Sequence, residues 1–305
     1  MEEIFAEFDT GAVLLRPEYR TVGTAFRHSI ASALSTVAMP FALASASVEQ
    51  SHFQRIHMAE SIRARSINEN ALLADEDIET VRRREAHTKA HSRMREFVES
   101  GEGRNILIVD TCGFLLASLK HGLEAAAHEL LQQGLVLLWS AFEVLCRDTF
   151  ETLINGEPTK VQALISNPST RKRFEAERLP LDTLVQHGFD PVSPIGSVLV
   201  RQQDFSDLLT VKAVYGVLYP GGTELTQALA HRELWTLYQR RHLVVHRRGA
   251  IDQVYLDATG ENHSLGSRLI VTPKAFEASL TAVVSAGAAL VHSLATESPI
   301  CEKGG

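Results

Sequence analysis

An arginine and a histidine five positions apart, Arg241 and His246, stand in the run WTLYQRRHLVVHRRGAID that spans 235–252. Histidine is the side chain best suited to exchange a proton near neutral pH. Arginine offers a permanently charged fork for phosphate oxygens. Attack of a 2′-hydroxyl on its neighbouring phosphate needs both: a proton removed, charge on the phosphate balanced, and a proton delivered to the leaving oxygen. His242 adds a second imidazole, and Arg240, Arg247 and Arg248 are the basic groups expected to hold an RNA backbone beside it. The competing reading is that Arg241 and His246 cap a helix and pair with acids such as Glu143 or Glu233.

Spacing alone carries little weight. With 23 Arg and 13 His in 305 residues, about one R-x4-H spacing is expected by chance. Arg82 and His87, in RRREAH, reproduce it. That second pair lies in a polar, charged run, most simply a solvated helix face. Arg241–His246 instead encloses Leu243, Val244 and Val245 and precedes Gly249, as expected at the end of a half-buried helix. At i and i+5, two side chains point about 140° apart on a helix. One helix therefore does not make a compact site, and two copies of it across a two-fold axis would.

Other matches are weaker. Asp9-Thr10-Gly11 resembles an aspartic-protease triplet, but that chemistry needs a second Asp in a β fold. His128-Glu129 begins a zinc-protease pattern whose second His position is Gln132. Val109-Asp110-Thr111 and Gly101-Glu102-Gly103 lack the partners of a phosphohydrolase or a phosphate loop. His242 and His246 have i, i+4 metal-ligand spacing, but the flanking arginines oppose a cation. No metal and no cofactor is expected.

The elements that must position these groups read as helices. Residues 1–20 look irregular, and 21–48 helical with a break at Pro40. Asp75-Glu76-Asp77 suits a helix start before Ile78, and Ser100–Asn105 marks a boundary. A long helix or pair is expected over Phe114–Ile154, interrupted near Gly134, then short helices among turns over 157–200. A helix is expected over Asp204–Leu218. Thr223 is the expected N-cap of the motif helix. A short extended piece at Arg268–Val271 and a last helix over Pro273–Leu294 complete an all-α chain.

The phrase RRHLVVHRRGAIDQVYL, with Gly249, Asp252 and Tyr255, and the segment WSAFEVLCRDTF over Trp139–Phe150 resemble the HEPN superfamily over about 121–295. The resemblance implies a HEPN-like helical bundle over 121–296; outside it the residues themselves read as an N-terminal helical region of unknown role over 1–120 and a flexible tail at 297–305. It also implies a homodimer with motif helices facing, and metal-independent RNA cleavage that leaves a 2′,3′-cyclic phosphate. By carry-over, Arg241 binds the scissile phosphate, His246 is the acid/base and His242 supports it. A role in bacterial defence or a toxin system, with a partner protein or antitoxin, would follow. Some toxin members carry a Tyr two residues after the motif His; this chain has Arg248. The alternative is a non-catalytic helical module binding nucleotide, RNA or a protein partner.

Composition fits this frame. The net charge is −7, so an RNA site must be a local basic patch working against the global field. Cys112, Cys146 and Cys301 show no zinc or disulfide spacing; a cytoplasmic location is expected. Ser29–Val48 is uncharged and as long as a membrane span, but its five Ser, one Pro and many Ala favour a buried soluble segment and no membrane contact.

Overall fold

The computed structural model describes residues 2–13, 15–65, 77–118, 124–174, 195–201 and 203–297. Among the described residues, thirteen α-helices carry the fold, in chain order: α1 (Glu2–Val13), α2 (Pro17–Ala64), α3 (Ile78–Glu99), α4 (Gly101–Ser118) and α5 (Glu124–Gly156). Then come α6 (Val161–Ser166), α7 (Pro168–Phe174), α8 (Ile195–Val200), α9 (Leu208–Leu218), α10 (Thr223–Ala230), α11 (Arg232–Arg247), α12 (Gln253–Thr259) and α13 (Pro273–Glu297). A 3₁₀ turn, Pro158–Lys160, precedes α6. Among the described residues the only β pairing is an isolated antiparallel bridge, Ala250 with Arg268, so the chain is all-α.

Two compact units divide the chain: residues 1–36 with 128–305, and residues 37–127. This differs from the expected regions 1–120 and 121–296, because residues 1–36 pack with the C-terminal helices. Phe5, Phe8 and Phe26 are buried, and Phe8 meets Phe26 at 5.2 Å between ring centroids. Gly287 of α13 lets that ring in, since a Cβ there would lie 2.8 Å from it. Within the stretch expected to be irregular, Glu2–Val13 and the chain from Pro17 are thus helical. Phe5 and Phe8 lie three residues apart on α1 and are buried, as is Leu15 just before α2. Residues 298–305, most of the expected tail, lie outside the described residues.

In the first unit, α5 supplies a buried face of Leu135, Leu138, Trp139, Phe142, Leu145, Cys146 and Phe150. It runs unbroken through the buried Gly134, contrary to the expected interruption there. Val211, Val214 and Tyr215 of α9 are buried, and the Tyr215 hydroxyl ties this helix to α5 by donating to the Cys146 carbonyl at 2.5 Å. Burial pushes the Cys146 thiol well above its ordinary value, so it acts as a small apolar side chain.

In the second unit, α3 starts at Asp77, whose carboxylate accepts from the Thr80 amide at 3.2 Å. Glu60 of α2, 2% exposed, is held by Arg63 and by Arg93 of α3, the latter at 3.0 Å. His52 and Asp110 join α2 to α4 at 2.7 Å. The expected break at Pro40 does not occur, since α2 continues through it. The uncharged stretch 29–48 also departs from its expected burial. Ile30, Ala33, Ala44 and Val48 are buried, but Met39, Phe41 and Leu43 are exposed. Helices Pro17–Ala64, Glu124–Gly156 and Pro273–Thr296 are long and apolar enough to cross a membrane, by length and composition alone.

Candidate active site

The motif helix is shorter than its sequence suggests. Thr223 begins a separate helix, α10, and the chain breaks at His231, whose Nδ1 accepts from the Glu233 amide at 3.2 Å and so caps α11. An extended residue with a side-chain acceptor satisfies one of the free amides that start a helix. Leu234, Leu237 and Leu243 are buried, forming the inner stripe of α11. Trp235 donates to the Ala258 carbonyl at 2.8 Å. Tyr238 stands between Trp139 and Trp235, with ring centroids 5.2 Å and 5.5 Å away.

The C-terminal end is fixed by two left-handed residues. Arg248 (φ 53°) and Gly249 (φ 75°) turn the chain, and both amides donate to the Leu243 carbonyl, that of Gly249 at 3.0 Å. The Gly249 carbonyl then accepts from the Leu269 amide at 2.8 Å. Gln132 of α5 lies against Gly249 and donates to the Leu269 carbonyl at 2.7 Å. This lock holds the segment bearing His246, Arg247 and Arg248 against the core.

The four arginines of the run part company here. Arg240 turns inward, with its side chain 11% exposed and its guanidinium on Glu261 at 2.6 Å. Tyr255 donates to the same carboxylate and bonds to Arg240. Burial alone would raise the Glu261 carboxyl; its bond from Tyr255 and the Arg240 charge outweigh that and hold it below its ordinary value. Arg240 is therefore a buried structural cation, which corrects its expected part in the phosphate-binding set. It occupies the inner stripe, three residues from both Leu237 and Leu243, and that spacing is the signal for it. Arg247 is 64% exposed and 3.6 Å from Asp252; Arg248 is exposed.

Arg241 is half-buried beside α5, and its Nε has no hydrogen-bond partner. Burial raises the Glu143 carboxyl above its ordinary value, opposed by the Arg241 charge and reinforced by Asp204. Tyr238, which also senses Arg241, donates to Asp207 at 3.2 Å. Asp207 in turn caps α9 through the Leu209 and Thr210 amides. The sequence offers Glu143 as an alternative partner of Arg241 but gives no sign that Tyr238, Asp204, Asp207 and Gln132 belong at the site, since the contacts that bring them there join residues remote in sequence.

His242 and His246, both exposed, contact each other with ring centroids 4.6 Å apart. Burial, then the neighbouring His246 and Arg241, lower the His242 pKa from its ordinary value. These influences favour the neutral imidazole of His242 over its protonated form. Exposed Val245, at 47%, lies between them in the chain. One helix end therefore brings together an arginine guanidinium, two imidazoles in contact and two solvent-facing arginines.

The remaining matches resolve into structure. Asp9 and Thr10 sit in α1, where Asp9 pairs with Arg27 at 3.2 Å and Thr10 donates to the Ala6 carbonyl. Glu129 pairs with Arg268. Asp110 takes His52. Comparison of the chain with protein-family models, curated proteins and solved structures gave no match.

Proposed function

We propose that the chain is an RNA endonuclease whose site is built from Arg241, His242 and His246, completed by a second copy of the chain. The observation that carries this reading is the contact of the two imidazoles beside an arginine that no hydrogen bond engages through its Nε. Arg241 binds the non-bridging oxygens of the scissile phosphate and offsets the charge that grows on them. One histidine removes the 2′-hydroxyl proton as the oxygen forms its new bond to phosphorus. The bond to the 5′-oxygen breaks, and a second histidine returns a proton to it, leaving a 2′,3′-cyclic phosphate and a 5′-hydroxyl. In the two-fold arrangement these roles fall to His246 and to His246 of the partner subunit, with His242 holding the imidazole against which it packs. Arg247 and Arg248 attract the RNA backbone, and Arg240 has no part in it.

The resemblance to the HEPN superfamily supports the same reading, including a role in defence or a toxin system with a partner protein. The test is cleavage of single-stranded RNA in excess EDTA. Arg241→Ala and His246→Ala should each reduce the rate by a factor on the order of 100 or more, with unchanged far-ultraviolet circular dichroism. Equal cleavage by both variants and the wild type would remove the site assignment. Binding of RNA without any cleavage would favour the non-catalytic module instead.

A further inference from the structure

We propose that His57 of α2 and His87 and His91 of α3 bind one divalent transition-metal ion of the zinc, nickel or copper class, which staples α3 to α2. All three lie in the unit of residues 37–127. His87 and His91 are one helical turn apart, with Nε2 atoms 3.3 Å from each other and ring centroids at 4.4 Å. A tetrahedral zinc ion, at about 2.0–2.1 Å from each imidazole nitrogen, holds two of them about 3.3 Å apart. The pair is therefore spaced for a shared ion without rearrangement. The two Nε2 atoms sit at hydrogen-bonding distance; with both rings as Nδ1–H tautomers neither can donate there, and a cation would take the place of that hydrogen bond.

His57 supplies the third nitrogen. Its ring centroid lies 6.0 Å from that of His87, and the three imidazoles gather around one side chain, Phe53, at 6.0, 6.2 and 4.7 Å for His57, His87 and His91. Among the described residues no three ligating side chains already close on a single point. The proposed ion therefore requires the half-buried His57 ring to turn toward the His87–His91 pair. His87 and His91 are exposed, which leaves the fourth position to water.

The ligand set selects the ion. Neutral imidazoles suit zinc, nickel and copper and do not suit magnesium or calcium. Helix α3 is rich in arginine, but Lys89 is paired with Glu85 and Arg93 with the buried Glu60, so part of that charge is already balanced. The seam also has room for such a link: the buried side chains of α3 are two alanines, Ala86 and Ala90. The other histidine pair at this spacing, His242 and His246, is flanked by Arg241, Arg247 and Arg248.

The full-length protein, stripped with chelator and titrated with zinc chloride, should take up this ion. His87→Ala and His91→Ala should each weaken uptake on the order of tenfold or more. Copper(II) in place of zinc should give an electron paramagnetic resonance spectrum with three coupled imidazole nitrogens, falling to two in His57→Ala. Uptake unchanged in His87→Ala, uptake abolished by His242→Ala in its place, or a two-nitrogen spectrum in the wild type would each overturn the site.

Discussion

Arg240 and Arg241 are neighbours of identical chemistry, and the 100° step between them on α11 gives them opposite fates. Arg240 joins the inner stripe and meets Glu261 and Tyr255, while Arg241, half-buried, acts on the Glu143 carboxyl of α5. Arg240→Ala leaves a partly buried carboxylate without its main counter-charge, so a loss of about 1–3 kcal/mol in stability is expected, measured by urea denaturation. The pH dependence follows from sign. Glu261 has a folded-state pKa below its ordinary 4.5; its contribution is present above that value and is lost as pH falls through the lowered folded value. The wild type should therefore lose more stability than Arg240→Ala on acidification below about pH 4.5; parallel losses would show that Arg240 is not what holds Glu261 ionised. Sequence could separate Arg241–His246 from Arg82–His87, because only the former encloses an apolar run. It could not deliver Glu261, which approaches from a turn 21 residues beyond Arg240.

The end of α11 depends on backbone conformation as much as on side chains. Gly249, at φ 75°, has its missing Cβ at ordinary contact, 3.4 Å, from the Gln132 carboxamide, so Gly249→Ala carries mainly a left-handed backbone cost. A loss of about 1 kcal/mol or more is expected, read as a lower midpoint in thermal unfolding; an unchanged midpoint would mean the lock does not bear on the fold. The glycine was legible as a helix terminator, as were Asp77 and Pro273 at their helix starts. Breaks inside the helical pattern were not. Pro40 and Gly134 carry local penalties of about 3 and 1 kcal/mol, yet α2 and α5 run through them. The break that does divide the motif region falls at His231, where an imidazole rather than Thr223 caps α11. Capping by histidine is outside the usual set of Ser, Thr, Asp and Asn, which is why composition pointed eight residues too early.

At the scale of the whole molecule, all-α architecture was legible because long amphipathic periods dominate the sequence. The allocation of residues 1–36 to the C-terminal unit was not, since it rests on contacts such as Phe26 with Gly287 across most of the chain. The proposed site needs two chains. Sedimentation equilibrium should give twice the 33.6 kDa chain mass, and a monomer under conditions of full activity would contradict the composite site. The protein's net charge of −7 opposes RNA, so binding should rest on Arg241, Arg247 and Arg248 and weaken steeply with salt. The most direct measurement is the identity of the ends left when purified protein cleaves a defined single-stranded RNA in excess EDTA. The account predicts 2′,3′-cyclic phosphate and 5′-hydroxyl ends, lost together in Arg241→Ala and His246→Ala; 3′-hydroxyl and 5′-phosphate ends, or no cleavage at all, would contradict it.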